Sequence, residues 1–347
     1  MKAIVVDGLR SMAVKDVARP DIEPGSMLIK VDVCAVCGSD VRIFESGNTR
    51  VEYPAIIGHE IAGTVVEKAE DVDKYKVGDR VALGADVPCG VCRWCQNGMA
   101  NCCDTNYAIG YQFQGGFAEY CLINPTVLRY GPVALISESV DSEHAALAEP
   151  LACCINGLER VNFSPGKSVL IIGSGPIGIL LMLTARAFGS PLTVLADIAP
   201  QRLKMAEPFG PDHIIDSGKE DLKERIMELT GGAGIDSAFI ACPSPDAQEH
   251  AVSVLAKRGY LNFFGGLSKG SRDIIVNSNE VHYKELYLTG SHGSVPRQHA
   301  LAMDLIASGR IDVSDLITHR FGLADIHKAF DTVKNGEGLK VLVKPGE

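Results

Sequence analysis

A doubly wound, Rossmann-type parallel sheet of the α/β class, joined to a second, β-rich domain, is the fold that this 347-residue sequence predicts. Three observations predict it. Near Ser164 the chain changes from short strands and turns to strands alternating with helical segments, the pattern of a parallel sheet covered on both faces. At that change stands "VLIIGSGPIG", which reads as a buried strand, a glycine turn and the start of a helix. The length favours two domains, and 46% hydrophobic residues supply a core for each.

Residues 1–150 read as all-β. "MLIKVDVCAV" (27–36) alternates and is rich in β-branched residues, and "IAGTVVEKA", "GDRVALG" and "GFAEYCLI" follow in the same style between Gly, Asp and Pro. Beyond the glycine turn, "LTVLAD", a helix through about Phe209, "HIIDS" and a charged helix from Lys219 to Leu229 continue the alternation. "SAFIAC", a helix from Pro245 to about Lys257, "YLNFFGG" and "LYLTGS" complete it. A helix from about Pro296 to Ser308, another near 323–334 and "LKVLVKP" end the sequence. Pattern alone leaves open whether that tail extends the parallel sheet or returns to the first domain.

Composition narrows the function. A net charge of −10, without a Lys/Arg stripe, argues against nucleic acid and for a small soluble substrate. The greasiest stretch, "IGILLMLTARAF", is too short to span a bilayer, and "MKAIVVDGLRSMAVKD" lacks a signal-peptide core. A cytoplasmic, membrane-free protein is expected. In that reducing setting clustered cysteines bind metal or catalyse more often than they cross-link.

Gly173-x-Gly175-x-x-Gly178, directly after a strand and opening a helix with Pro176 and Ile177, predicts a dinucleotide site. The first glycine permits the tight turn, the second lets backbone approach a pyrophosphate, and the third lets helix and strand pack closely. The helix N-terminus offers free N–H groups to the phosphates. Asp197, at the end of the next strand, would accept hydrogen bonds from both ribose hydroxyls of NAD and repel the extra phosphate of NADP. Arg202 keeps NADP as the alternative.

"PCGVCRWCQNGMANCCD" (88–104) holds five of the eleven cysteines. Cys89, Cys92, Cys95 and either Cys102 or Cys103 could close a tetrahedral zinc site with no open position, hence a structural one. An iron–sulfur cluster would also take four thiolates. Spacing does not choose between the adjacent cysteines. Upstream, Cys37, Ser39, Asp40, His59 and Glu60, with Glu149 near the change of texture, offer Cys, His and carboxylate donors from separated segments, as an open catalytic zinc site requires. Singly, each has an ordinary reading: a core cysteine, a loop histidine, a helix N-terminal acid.

"GHEIAGTVVEKAEDV", the four-cysteine loop, "GGFAEY" and "GSGPIG" occur in the order of the zinc-containing medium-chain alcohol dehydrogenases, and the resemblance covers essentially the whole chain. Glu149-Pro150, where ethanol-type members carry a cysteine, makes it most similar to the sorbitol and other polyol dehydrogenases, including galactitol-phosphate-like ones. The resemblance implies a GroES-like catalytic domain of 1–150 and 287–347 around a Rossmann domain of 151–286. It also implies Cys103 as the fourth structural ligand, and a homo-tetramer or dimer. It makes Cys37 and His59 direct ligands of a catalytic zinc, with Glu60 and Glu149 competing for the next place. Asp40 would hydrogen-bond His59, and Ser39 would hydrogen-bond the substrate oxygen. The implied activity is oxidation of a secondary alcohol of a polyol, sugar alcohol or polyol phosphate, with hydride transfer to NAD. A threonine-type amino-alcohol dehydrogenase is the nearest alternative, and a non-catalytic NAD(H)-binding protein a more distant one. Threonine-type relatives place a histidine where this chain has Asp86. Many relatives end a proton relay in a histidine where this chain has Arg42, which cannot release a proton. Arg42, Arg50 and Arg297 are candidates for a substrate phosphate or carboxylate.

Overall fold

A computed structural model describes residues 1–268 and 270–347. The chain divides into two compact units, one of Met1–Ala152 with Gly293–Glu347 and one of Cys153–His292.

The second unit is built on a six-stranded, all-parallel sheet. Its strands, in spatial order, are His213–Asp216, Thr193–Asp197, Val169–Ile172, Ile235–Ile240, Leu255–Phe263 and Tyr287–Gly290. Sequence order therefore reverses beside Val169–Ile172, and in open α/β sheets ligands bind at such a reversal, outside the carboxyl ends of the strands. Strand Val169–Ile172 is a fully buried apolar run, as a parallel strand covered on both faces must be. Leu170, Val194, Ile215, Ile235, Ile240 and Leu261 form part of one core cluster against the helices. The helix expected from Pro245 to about Lys257 ends earlier, at Ser253, and the next strand begins at Leu255. Arg258, with φ +59°, makes a bulge there, so that Ile235 faces Leu255 but Ser237 faces Tyr260. An irregular strand start of this kind leaves no period-2 signature. The charged helix begins at Leu222 rather than Lys219, because the Asp221 side chain caps it by accepting from Glu224 N at 2.9 Å.

The first unit carries a seven-stranded, mostly antiparallel sheet. Ile317–Gly322, Lys340–Lys344, Met27–Ala35, Glu60–Lys68, Arg80–Leu83 and Val133–Leu135 follow one another across it, and Tyr120–Ile123 also pairs with Met27–Ala35. The strand Lys340–Lys344 lies antiparallel to Met27–Ala35, with Leu342 opposite Ala35. The all-β expectation for residues 1–150 needs correction. Helices form at Gly38–Ser46, Pro125–Tyr130 and Ser142–Ala145, and a longer one begins at Ala148. They are short, and a nine-residue helix such as Gly38–Ser46 shows too few turns for its period to be read. Among the described residues no helix is long and apolar enough to cross a membrane.

Candidate functional site

The helix Gly38–Ser46 matters because it aims the upstream donor set. Cys37 is its N-cap residue, and the Cys37 N–H donates to Asp40 Oδ2 at 2.9 Å, so the first turn is locked by the side chain of its own third residue. His59 and Glu60 stand where a loop enters strand Glu60–Lys68. That irregular entry solves the problem that neighbours on a regular strand point to opposite faces. Donor atoms of Cys37, His59 and Glu60 all lie within 4.8 Å of one another. His59 Nδ1 is 3.3 Å from Asp40 Oδ1, and Ser39 Oγ is 3.4 Å from His59 Nε2.

The electrostatics of this group follow from burial. His59 is 4% exposed, while Asp40 and Glu60 are fully buried. Burial works against the His59 imidazolium, but the adjacent Asp40 carboxylate outweighs it and holds the pKa well above the usual histidine range. Glu149 is buried on the first turn of helix Ala148–Arg160. Burial first, then the Glu60 and Asp86 carboxylates, push its pKa up to about 7 against the opposing charges of His59 and Lys340. Glu149 thus shares the field of the site, whereas the three-donor group consists of Cys37, His59 and Glu60.

One participant had no sequence signal. Lys340, 3% exposed at the start of strand Lys340–Lys344, forms an ion pair with Glu60. Burial alone would lower its pKa, yet the carboxylate beside it raises it. Only the antiparallel pairing of Lys340–Lys344 with Met27–Ala35 brings a residue so distant in sequence to this place. Lys340→Met is expected to cost about 3–5 kcal/mol, the usual result of stranding one partner of a buried pair. Calorimetry of the variant tests this; an unchanged unfolding temperature would mean that the pair contributes nothing.

Tyr111 is the second residue not anticipated. Its ring centroid is 6.0 Å from that of His59, and burial raises the pKa of its hydroxyl. Asp86, in the place of a histidine in threonine-type relatives, is buried and accepts from the Ser294 N–H at 3.0 Å. Arg42 is exposed on helix Gly38–Ser46.

In the cysteine loop, Cys89, Cys92, Cys95 and Cys103 also bring their thiols within 4.8 Å of one another. Cys92 Sγ and Cys95 Sγ are 3.4 Å apart, and Cys89 Sγ and Cys95 Sγ 3.9 Å. These separations are far beyond a disulfide bond of about 2.05 Å, and they suit thiolates sharing a tetrahedral ion at about 2.3 Å each. Backbone N–H groups of Cys89 and Cys92 point at sulfurs of Cys103 and Cys89, at 3.2 and 3.3 Å, as donors do toward thiolates. Hydrogen bonds from backbone groups hold the Cys92 pKa down at about 6, while burial pushes Cys95 up to about 12. Cys102 ends a short 3₁₀ turn and is exposed, whereas Cys103 is buried.

In the second unit, Gly173 has φ +108°, a conformation glycine adopts freely. A Cβ on Gly178 would fall 1.9 Å from the Gly173 oxygen, whereas one on Gly175, the N-cap of helix Pro176–Ala187, would meet nothing within 4 Å. One glycine is thus demanded by packing, and the other leaves its backbone approachable. Asp197 Oδ2 accepts from Ser174 N and Oγ at 2.7 and 3.0 Å, and Oδ1 from Ala199 N at 3.0 Å, so the carboxylate is fixed against the glycine turn. Arg202 is close enough for Asp197 to offset part of the burial that lowers its pKa.

Two closely spaced donor sets of zinc type in one unit, with a glycine turn at a sheet reversal in the other, define a metal-dependent nucleotide-using dehydrogenase. Comparison with known proteins agrees. A family model described as alcohol dehydrogenase GroES-like domain matches residues 23–130, and one described as zinc-binding dehydrogenase matches 176–308. Sorbitol dehydrogenase of Bacillus subtilis (strain 168) is 33% identical over 99% of this chain and 97% of its own length. D-arabitol-phosphate dehydrogenase of Enterococcus avium is 31% identical over 97% and 95%. A zinc-binding dehydrogenase from Sinorhizobium meliloti 1021, solved with NADP bound, superposes with a TM-score of 0.92 at 29% identity, covering 99% of each chain. The chain belongs to the zinc-binding alcohol dehydrogenase family. It is an NAD(P)-dependent oxidoreductase with a GroES-like unit and a Rossmann unit.

Proposed function

We propose that this enzyme oxidises a secondary alcohol of a polyol, sugar alcohol or polyol phosphate to the ketone with NAD as acceptor. The grouping of Cys37, His59 and Glu60 within 4.8 Å, beside Ser39, carries the reading. Relatives acting on sorbitol and arabitol phosphate support the substrate class. The donor set fits zinc: a thiol, an imidazole and a carboxylate converge, and both Glu60 oxygens are buried without a hydrogen-bond donor, the Lys340 ion pair apart. A zinc ion bound there supplies Lewis acidity, which eases loss of the alcohol proton.

The rest is the work of the chain. Asp40 Oδ1, 3.3 Å from His59 Nδ1, orients the ring, and His59 would be one of the residues that hold the metal, as a histidine backed by a carboxylate does. Ser39 Oγ takes the hydroxyl proton and passes it outward, and with Arg42 exposed in place of a histidine, the proton leaves to water. Glu60, charge-balanced by Lys340, and the buried Glu149 would compete for the next place among the residues that hold the metal. Cys89, Cys92, Cys95 and Cys103 hold a structural zinc. Asp86, committed to Ser294, favours the polyol over the threonine reading. We also propose a cytoplasmic homo-oligomer, a tetramer or dimer, which light scattering would size.

The decisive assay scans NAD reduction over free polyols, polyol phosphates, sugar acids and threonine with zinc present. Ketone formation from a polyol or its phosphate is expected; reduction by threonine alone would overturn the polyol reading. For the cofactor, Asp197 sets NAD over NADP, so Asp197→Ser should raise the KM for NAD about 10-fold while sparing NADP. An unchanged KM ratio would remove Asp197 from cofactor selection.

A further inference from the structure

Arg50 has a placement that the site described so far does not use. Its guanidinium carbon lies 5.0 Å from the centroid of the Tyr111 ring, the ring whose centroid is 6.0 Å from that of His59. Arg50 is therefore no farther from the His59 ring than these two spans laid end to end. Its backbone is fixed by an Asx turn, the Arg50 N–H donating to Asn48 Oδ1 at 2.9 Å. One guanidinium edge is held by the carbonyl of Asn106, a residue in the left-handed region at φ +41° whose own side-chain oxygen is buried without a donor. Among the described residues no carboxylate pairs with Arg50, although Arg10, Arg19, Arg225, Arg258, Arg272 and Arg320 all have one. Two segments, 47–51 and 106–111, thus present a half-buried, planar cation beside the metal-donor group, with most of its donors unspent.

We propose that Arg50, stacked on Tyr111, is the subsite for an anionic terminal group, a phosphate or a carboxylate, on the far end of the alcohol substrate. The inference rests on the polyol reading above and selects within it. A guanidinium matches both oxyanions through paired N–H donors, and stacking fixes its plane before the substrate arrives, so less side-chain freedom is lost on binding. In a chain with net charge −10, an anionic substrate gains nothing from the overall field, so its recognition must come from such a short-range contact. Tyr111 stands between the two ends of the substrate: its ring lies 6.0 Å from the ring of His59, in the donor group where the reacting oxygen would bind, and it carries the cation that would hold the terminus.

The test is steady-state kinetics on matched series: a free polyol, the same polyol with a terminal phosphate, and the corresponding sugar acid. The wild-type enzyme should favour one of the two anionic forms over the neutral polyol in kcat/KM, and which one it favours identifies the terminal group. Arg50→Gln should reduce that preference about 10- to 100-fold, chiefly through KM, which is the loss of a hydrogen-bonded charged contact. Arg50→Lys keeps the charge but not the planar fork; it should retain an intermediate preference, and it serves as the test if the glutamine variant unfolds. Wild-type preference for the neutral polyol, or a preference for an anionic form that survives both substitutions in folded protein, would overturn the subsite and leave the dehydrogenase reading standing. Failure to oxidise any alcohol of the three series would sink the polyol reading and the subsite with it.

Discussion

Cys37→Ala is expected to lower kcat/KM for alcohol oxidation at least about 1000-fold and to release one of two zinc ions per chain. The magnitude follows from the several kcal/mol that a Lewis-acidic ion contributes to stabilising developing charge, at 1.36 kcal/mol per factor of ten. Cys37 is the N-cap of its helix, so its thiol is aimed by the Asp40 side chain rather than by a flexible loop. The fold should survive, because Cys37 is only half-buried and the bond from its N–H to Asp40 does not use the thiol. His59→Ala removes a second donor and also leaves Asp40 as a buried carboxylate without its partner. The histidine variant should therefore lose stability as well as activity. Metal analysis and activity on the same preparations check both. Retention of two zinc ions and of activity in Cys37→Ala would exclude this centre as the catalytic one.

The second large effect concerns the cysteine loop. Cys103→Ser is expected to release the structural zinc and lower the unfolding temperature by about 10 °C, corresponding to roughly 3 kcal/mol in a unit of this size. Cys102→Ser should change neither. The adjacent residues differ because Cys103 turns inward to the other thiols and receives the Cys89 N–H, while Cys102 ends the 3₁₀ turn facing solvent. In Cys103→Ser three thiols remain, and the hydroxyl is a poor ligand for a soft, thiolate-preferring site. Zinc stoichiometry and calorimetry decide it. The reverse result would show that the loop closes on Cys102.

Much of this was legible in the sequence, for identifiable reasons. The glycine turn was readable because each glycine answers a local demand: a left-handed φ at Gly173 and a close approach at Gly178. Short-range spacing likewise nominated Cys89, Cys92 and Cys95, but not the choice between Cys102 and Cys103, which depends on how one turn rotates. Cys37, His59 and Glu60 were nominated by motif rather than by spacing, since the entry into strand Glu60–Lys68 that lets them converge is a tertiary feature. Lys340 and Tyr111 were not legible at all. A lysine at the start of an apolar strand reads as a solvated end, and only sheet pairing sets it against Glu60. Tyr111 lies in an irregular loop, where neither period nor spacing says which way a ring points. The helix Gly38–Ser46 was missed for want of length, although it aims Cys37.

The first unit is interrupted in sequence by the second, and this gives the metal site a schedule. As the chain leaves the ribosome, Cys37, His59 and Glu60 emerge early, the whole of Cys153–His292 follows, and Lys340 comes afterwards. The second unit has all its strands to hand and can fold while synthesis continues. Five strands of the first unit's sheet are made before it and pair with one another, but the sheet is completed only by Ile317–Gly322 and Lys340–Lys344, and the pairing of the latter with Met27–Ala35 spans most of the sequence. Until then Glu60 lacks its Lys340 counter-charge. Assembly of the charge-balanced site is thereby deferred until the nucleotide-binding unit has already been made.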